Sequence, residues 1–215
     1  KTTGRALVMA GAGANDTKKA VEKVRRAEAA GADAVLVVTP YYNKPTQAGL
    51  VAHYDAVAEA TALPVMLYSV PGRCGVEIAA ETCATLMGNH ANIFSIKEAG
   101  GSAARVSDLR RACGDELIVH SGDDGLTLPF LSLGAVGVTS VVANVAPESM
   151  VAMVRAWHEG NTAHALALHD LVAELTDGMF VESNPGPVKA ALALNNLSGP
   201  EMRLPMVPVS DANRE

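Results

Sequence analysis

Short apolar runs alternate along this chain with stretches of helical periodicity, and that alternation restricts the fold more than any other feature. Residues 6–10, 34–38, 65–68, 93–96, 117–120 and 137–141 are apolar runs of strand length. Between them lie segments of helix length at about 17–30, 46–60, 79–87, 103–113 and 125–133. The first of these helices has Asn15 or Asp16 as its cap and Gly31 at its close. Strands that are apolar almost throughout are buried on both faces, and their alternation with helices builds a parallel sheet covered by helices. Two architectures satisfy the pattern: a doubly wound sheet, or a (β/α)8 barrel with two units missing. After residue 142 only helical patterns follow, at about 147–159, 162–179 and 185–194.

At 215 residues the chain supports one sizeable core. Its residues are 49% apolar but only 4% aromatic, which suits close packing of helices on a sheet. A formal charge of −6 argues against a nucleic-acid binder, which carries a basic stripe. No apolar run approaches the roughly 20 residues of a membrane span, and the opening residues do not read as a signal peptide. Cys74, Cys83 and Cys113 are odd in number and lack the C-x-x-C spacing of a metal site. The sequence therefore reads as a soluble protein of a reducing compartment. It starts at Lys1 rather than at a methionine and ends abruptly at Asn213-Arg214-Glu215, which reads as a trimmed piece of a longer chain.

In either architecture the carboxyl ends of the strands form the ligand site. Those ends carry Thr39-Pro40-Tyr41-Tyr42-Asn43, Tyr68-Ser69-Val70-Pro71-Gly72-Arg73, Lys97-Glu98, Ser121-Gly122-Asp123-Asp124 and Thr139-Ser140. Lys97 is the most telling of them. It closes the run Ile93-Phe94-Ser95-Ile96, and an amine delivered to a site poor in water has a lowered pKa, because desolvation disfavours the charged form. A partly neutral lysine attacks carbonyls and forms a Schiff base. Alone, such a residue is more readily a lysine snorkelling from a strand end. Schiff-base chemistry also needs a proton donor and an acid/base, and the phenol of Tyr68 supplies both if a neighbouring hydroxyl relays protons. Arg73 offers a planar fork for a substrate carboxylate. A half-buried tyrosine and a surface ion pair are the plain alternatives for these two, and it is the joint occurrence at adjacent strand ends that favours chemistry.

The segments that carry these residues resemble those of the dihydrodipicolinate synthase family, within the superfamily of pyruvate-dependent Schiff-base aldolases that includes N-acetylneuraminate lyase. Tyr68-Ser69-Val70-Pro71-Gly72-Arg73-Cys74-Gly75 is similar to that family's Y-N-V-P-x-R-T-G segment, and Ile96-Lys97-Glu98-Ala99 to its Schiff-base lysine segment. Val38-Thr39-Pro40-Tyr41-Tyr42-Asn43-Lys44-Pro45, Ser121-Gly122-Asp123-Asp124 and Asn184-Pro185-Gly186-Pro187-Val188-Lys189 also match, in the same order. The likeness covers essentially the whole chain. Arg73 favours this family over N-acetylneuraminate lyase, whose equivalent stretch usually lacks the arginine.

The resemblance implies a (β/α)8 TIM barrel lacking its first two β-α units, over residues 1–142, with a helical extension over 143–215. It implies condensation of pyruvate with L-aspartate 4-semialdehyde to 4-hydroxy-tetrahydrodipicolinate, on the route to diaminopimelate and lysine, in the cytoplasm, with no cofactor and no metal. Lys97 would carry the pyruvyl Schiff base, Tyr68 would be the relay phenol, and Arg73 would hold the semialdehyde's carboxylate. Tyr42 would reach across a tight dimer interface into the partner's site, within a homotetramer. Gly122 and Thr139 would shape the pyruvate pocket through backbone groups, although a bulkier aliphatic residue is usual at the Thr139 position. The family's G-T-T-G-E segment would lie upstream of Lys1, so the isolated chain is expected to be weakly active or inactive. Lysine-inhibited members bind lysine through an asparagine, a glutamate and a tyrosine. Asn15 and Tyr41 match two of these, but Lys19 stands at the glutamate position and would repel the effector's ammonium, so lysine inhibition is expected to be weak or absent.

Other signals carry less. Gly11-Ala12-Gly13-Ala14 follows a strand as a dinucleotide fingerprint would, but Asp16 stands where its third glycine belongs. His164 and His169 are five apart and lack metal spacing. His120 reads as packed, Cys74 as a thiol open to the site without a local base, and Asp123 and Asp124 as caps of the following helix. The rival functions are a related pyruvate-dependent aldolase acting on a sugar acid, a non-catalytic barrel that keeps the fold, and a nucleotide binder.

Overall fold

The computed structural model describes residue 2 and residues 4–214; Lys1, Thr3 and Glu215, the outermost residues of the two expected regions, lie outside the described residues. The described residues form two compact units, one of those up to 122 together with 132–136, the other of 123–131 together with those from 137 on.

The first unit is a parallel α/β layer. Its strands are β1 (Met9–Gly11), β2 (Ala34–Val38), β3 (Val65–Ser69), β4 (Ile93–Glu98) and β5 (Ile118–Ser121). They neighbour one another in chain order, and every adjacent pair is parallel. A doubly wound sheet reverses its strand order at a switch point, and no such reversal occurs here. Right-handed crossovers that always step the same way leave the connecting helices on one face. Those helices are α1 (Thr17–Ala29), α2 (Gln47–Ala58), α3 (Pro71–Cys74), α4 (Ala80–Asn89) and α5 (Ala104–Cys113). Consistent with one layer, α1 packs on α2, α2 on α4, and α4 on α5. The core between sheet and helices is aliphatic, with Val35, Val37, Leu67, Ile96, Val119, Leu50, Leu86 and Leu109 all fully buried. Tyr54 is buried among them and donates its hydroxyl to the Val37 carbonyl at 3.1 Å.

Local chemistry sets the ends of these elements. Asp16, not Asn15, caps α1, its carboxylate accepting the Lys19 amide at 2.8 Å. Thr46 caps α2 by accepting from the Gly49 amide. The first strand is shorter than the apolar run at 6–10. The Val8 amide turns to the Asp33 carboxylate at 2.8 Å, Leu7 is exposed, and the ladder begins only at Met9. The short helix α3 was not anticipated. Proline opens it, and Gly75, at φ 75°, closes it with a left-handed turn whose amide donates to the Pro71 carbonyl. Strand β4 runs two residues past the apolar run, so that Lys97 and Glu98 are paired strand residues opposite Tyr68 and Ser69.

The second unit holds the short strand β6 (Gly137–Val138), then α7 (Pro147–His158), α8 (Thr162–Gly178) and α9 (Gly186–Leu194). The sequence predicts one helix over about 125–133, and residues 124–132 depart from it. They form a 3₁₀ turn followed by α6 (Thr127–Ser132). Asp123 caps that turn by accepting from the Gly125 amide. Asp124 does not cap it. Its buried carboxylate accepts from the Ser140 hydroxyl and the Val141 amide, which ends β6 early and bends the chain into a 3₁₀ turn. The unit's core is Val142, Met150, Met153, Val172, Met179 and Val188. No helix among the described residues is long and apolar enough to cross a membrane.

Candidate active site

Side chains alternate across a strand, while register partners on parallel neighbours share a face. Tyr68, Lys97 and His120 are such partners on β3, β4 and β5, and all three are half-buried. The Lys97 Nζ lies 4.4 Å from the centroid of the Tyr68 ring, within the distance at which an aromatic face attracts a cation. Amine and phenol therefore sit side by side at the carboxyl ends of adjacent strands. Burial raises the Tyr68 pKa, the Arg73 guanidinium pulls it back, and Cys74 adds a smaller upward push. The phenol thus holds its proton at neutral pH, the state a proton donor requires. Burial lowers the His120 pKa, so that ring favours its neutral form.

Gly122 closes the other side of the lysine. Its amide donates to the Glu98 carbonyl at 2.7 Å. A β-carbon there would stand 2.7 Å from the Ala99 Cβ and 2.9 Å from the Lys97 Cε. Only a residue without a side chain lets the lysine stem pass. Gly122→Ala is accordingly expected to destabilise the protein by about 1–3 kcal/mol through overpacking. Gly72→Ala, where nothing lies within 4 Å of the added carbon, shifts stability by about 0.5 kcal/mol or less. Urea unfolding midpoints of the two variants, compared with the parent, check this.

Arg73 is exposed on α3, close enough to act on the Tyr68 phenol. Cys74, expected to be open to the site, is 4% exposed and points into the core. Tyr42 is 89% exposed and adopts φ 77°, a left-handed conformation costly for a bulky residue. Its loop is tied down by Asn43, whose amide donates to the Asn15 carbonyl at 2.8 Å. The stem of Lys44 also rests against Gly75, the cap of α3. Tyr41 and Lys19 are exposed, whereas Asn15 is half-buried. Thr139 is half-buried and belongs to the second unit. Lys97, Tyr68, Gly122 and Arg73 are therefore gathered within the first unit, and Asn15, Tyr41 and Tyr42 lie on the two loops that Asn43 joins.

The sequence reading left Glu98 without a role. It is fully buried, its Oε1 accepting the Gly100 amide at 2.7 Å and its Oε2 lying 3.3 Å from the Arg105 Nη2. Strand alternation alone turns Glu98 away from the Lys97 face and towards the helices, and a carboxylate there requires a basic partner on the next helix. Arg105 is that partner.

A parallel α/β sheet sets an amine and a phenol at the carboxyl ends of neighbouring strands, with a guanidinium on the short helix that follows one of them, the groups that carbonyl chemistry through an amine would use. The sequence model of the Dihydrodipicolinate synthetase family matches residues 1–215. This chain belongs to that family. It is 49% identical over 210 residues to the 4-hydroxy-tetrahydrodipicolinate synthase of Geotalea daltonii, an alignment covering 98% of this chain and 72% of that protein. The 4-hydroxy-tetrahydrodipicolinate synthase from Methylacidiphilum fumariolicum SolV superimposes with a TM-score of 0.97 at 47% identity, over 99% of this chain and 71% of the other. A chloride-inhibited dihydrodipicolinate synthase from Acinetobacter baumannii, complexed with pyruvate, superimposes with a TM-score of 0.95 at 42% identity, over 99% and 73% of the two chains.

Proposed function

We propose that this chain is a Schiff-base lyase that condenses pyruvate with L-aspartate 4-semialdehyde to 4-hydroxy-tetrahydrodipicolinate, a step towards diaminopimelate and lysine. The observation that carries the reading is the Lys97 amine held 4.4 Å from the Tyr68 ring at adjacent strand ends. The shared name of relatives at up to 49% identity supports it, as does the pyruvate complex of the Acinetobacter baumannii relative.

The chemistry follows from these groups. The neutral Lys97 amine adds to the C2 carbonyl of pyruvate, and the carbinolamine hydroxyl takes a proton from the Tyr68 relay and leaves as water. The resulting iminium acidifies the C3 methyl, and loss of one proton gives an enamine. C3 of the enamine forms a bond to the aldehyde carbon, whose oxygen is protonated to a hydroxyl. The substrate's own amine then adds to C2 and displaces Lys97, closing the ring and freeing the enzyme. Tyr42, donated by a partner chain across a tight dimer, completes the relay, and its exposure suits that role. Gly122 shapes the pyruvate pocket through its backbone.

The same reading takes residues 1–142 as part of a (β/α)8 barrel without its first two β-α units and residues 143–215 as a helical extension. The chain-order sheet and its single helical layer support this. A homotetramer and a cytoplasmic location belong to the proposal, the latter in keeping with three unpaired cysteines. Asn15, Tyr41 and Lys19 form the counterpart of the lysine-binding site, with Lys19 weakening it.

Arg73 separates this function from that of a sugar-acid aldolase. In a coupled condensation assay, Arg73→Ala is expected to raise the KM for aspartate semialdehyde about tenfold or more, the loss of a charge-assisted bidentate contact, while leaving imine formation with pyruvate intact. An unchanged KM for the semialdehyde would favour the sugar-acid reading.

A further inference from the structure

We propose that Glu98 is a positioning residue for the Lys97 amine, acting as a post behind β4 that fixes the direction in which the lysine leaves the strand. This rests on Lys97 being the imine-forming residue.

The residue following Lys97 is held at every point. Its backbone pairs with Ser69 on β3 and Ser121 on β5, and its carbonyl accepts the Gly122 amide at 2.7 Å. Its side chain accepts the Gly100 amide and meets Arg105 of α5. Arg105 in turn donates from the same Nη2 to the Ile78 carbonyl at 2.7 Å, and its Nε lies 3.4 Å from the Glu77 Oε1. One carboxylate thus ties the end of β4 to the turn after it, to α5, and to the segment leading into α4. The turn closes tightly upon it. A β-carbon on Gly100 would stand 2.7 Å from the Glu98 Oε1 and 3.1 Å from the Glu77 Oε1.

A buried acid is a costly way to secure a helix, since an apolar residue of similar size does that as well or better. Burial pushes the Glu98 pKa up, and Arg105 and the Gly100 amide pull against it. What the carboxylate adds is direction. It fixes the peptide that follows Lys97, and because successive strand side chains point to opposite faces, any twist of Glu98 about the strand swings the lysine on the other side. Displacing a nucleophile by about 1 Å is enough to lose on the order of 10²-fold in rate.

The test is the rate of borohydride trapping of the pyruvyl imine on Lys97, read by mass spectrometry across a range of pyruvate concentrations. Glu98→Ala is expected to slow trapping at saturating pyruvate about tenfold or more, with the half-saturating pyruvate concentration unchanged. Glu98→Gln, whose amide oxygen still accepts from Gly100, returns the rate to within about threefold of the parent. Leu109→Ala, a fully buried change on the same helix α5, controls for lost stability and leaves the trapping rate unaltered. Should Glu98→Ala not fold, Glu98→Asp, one methylene short of the Gly100 amide, takes its place with the same expectation. Trapping at the parent rate in Glu98→Ala or Glu98→Asp overturns the proposal, as does equal slowing in Leu109→Ala. A parent protein that yields no adduct even with the family's G-T-T-G-E segment restored upstream of Lys1 refutes the role of Lys97 itself, and the role of Glu98 with it.

Discussion

Replacing Lys97 with methionine is expected to remove the borohydride-trapped pyruvyl adduct altogether and to lower condensation by at least about 10³-fold, the scale on which an enzyme loses its covalent nucleophile. Methionine is the informative choice because it keeps an unbranched stem that passes Gly122 and lies over the Tyr68 ring, as the lysine does. The variant is therefore expected to unfold in urea within about 0.5 kcal/mol of the parent, so lost activity reflects lost chemistry. The amine cannot be replaced by another group in the same place. His120, its register partner on β5, stands on a neighbouring strand, and Cys74 is buried in the core. A methionine variant that still gave a pyruvate adduct at some other residue, with turnover near the parent's, would remove Lys97 from the mechanism.

Much of this site was legible in the sequence because parallel sheets follow simple rules. The apolar run at 34–38 is β2 to the residue, and strand-end polarity picked out Tyr68, Arg73 and Lys97 before any coordinates. Strand limits were read less well where a side chain, rather than hydrophobicity, decides them. Asp33 draws the Val8 amide away from β1, and Asp124 draws Ser140 and Val141 away from β6. Both acids look like ordinary loop residues until the backbone groups they satisfy are known. Cys74 was misjudged because α3 was not foreseen. A proline-led turn rotates the residue after Arg73 into the core. The clamp of Glu98 and Arg105 lay within reach of strand alternation, which requires a partner for an acid facing the helices, yet choosing Arg105 over Arg110 or Arg111 takes the actual packing of α5. Tyr42 shows another limit. Its type suits a proton relay, but the left-handed backbone that presents it is set by contacts of Asn43 and Lys44 that no local pattern announces.

Tyr68→Phe is expected to lower kcat by about 10²–10³-fold, the contribution of a positioned proton donor, with little effect on folding. The ring that lies beside the lysine is kept, so the amine stays where it is and the change isolates the hydroxyl. In the proposed relay the phenol acts at dehydration of the carbinolamine, so the variant is expected to trap pyruvate more slowly than the parent. A pH profile gives the sign. Burial holds the Tyr68 pKa above 10.0 despite the opposing Arg73, so at pH 7 to 9 the donor is fully protonated and activity does not fall on its account. Activity that depends on the protonated phenol is lost only as pH rises through that elevated value. The phenylalanine variant should lose this alkaline limb. Arg73→Ala supplies the converse, since removing the cation that pulls the pKa down shifts the limb further upward. A Tyr68→Phe protein with unchanged kcat, or an alkaline limb that survives the loss of the hydroxyl, would assign the proton transfer elsewhere and leave Tyr68 as the wall against which Lys97 is packed.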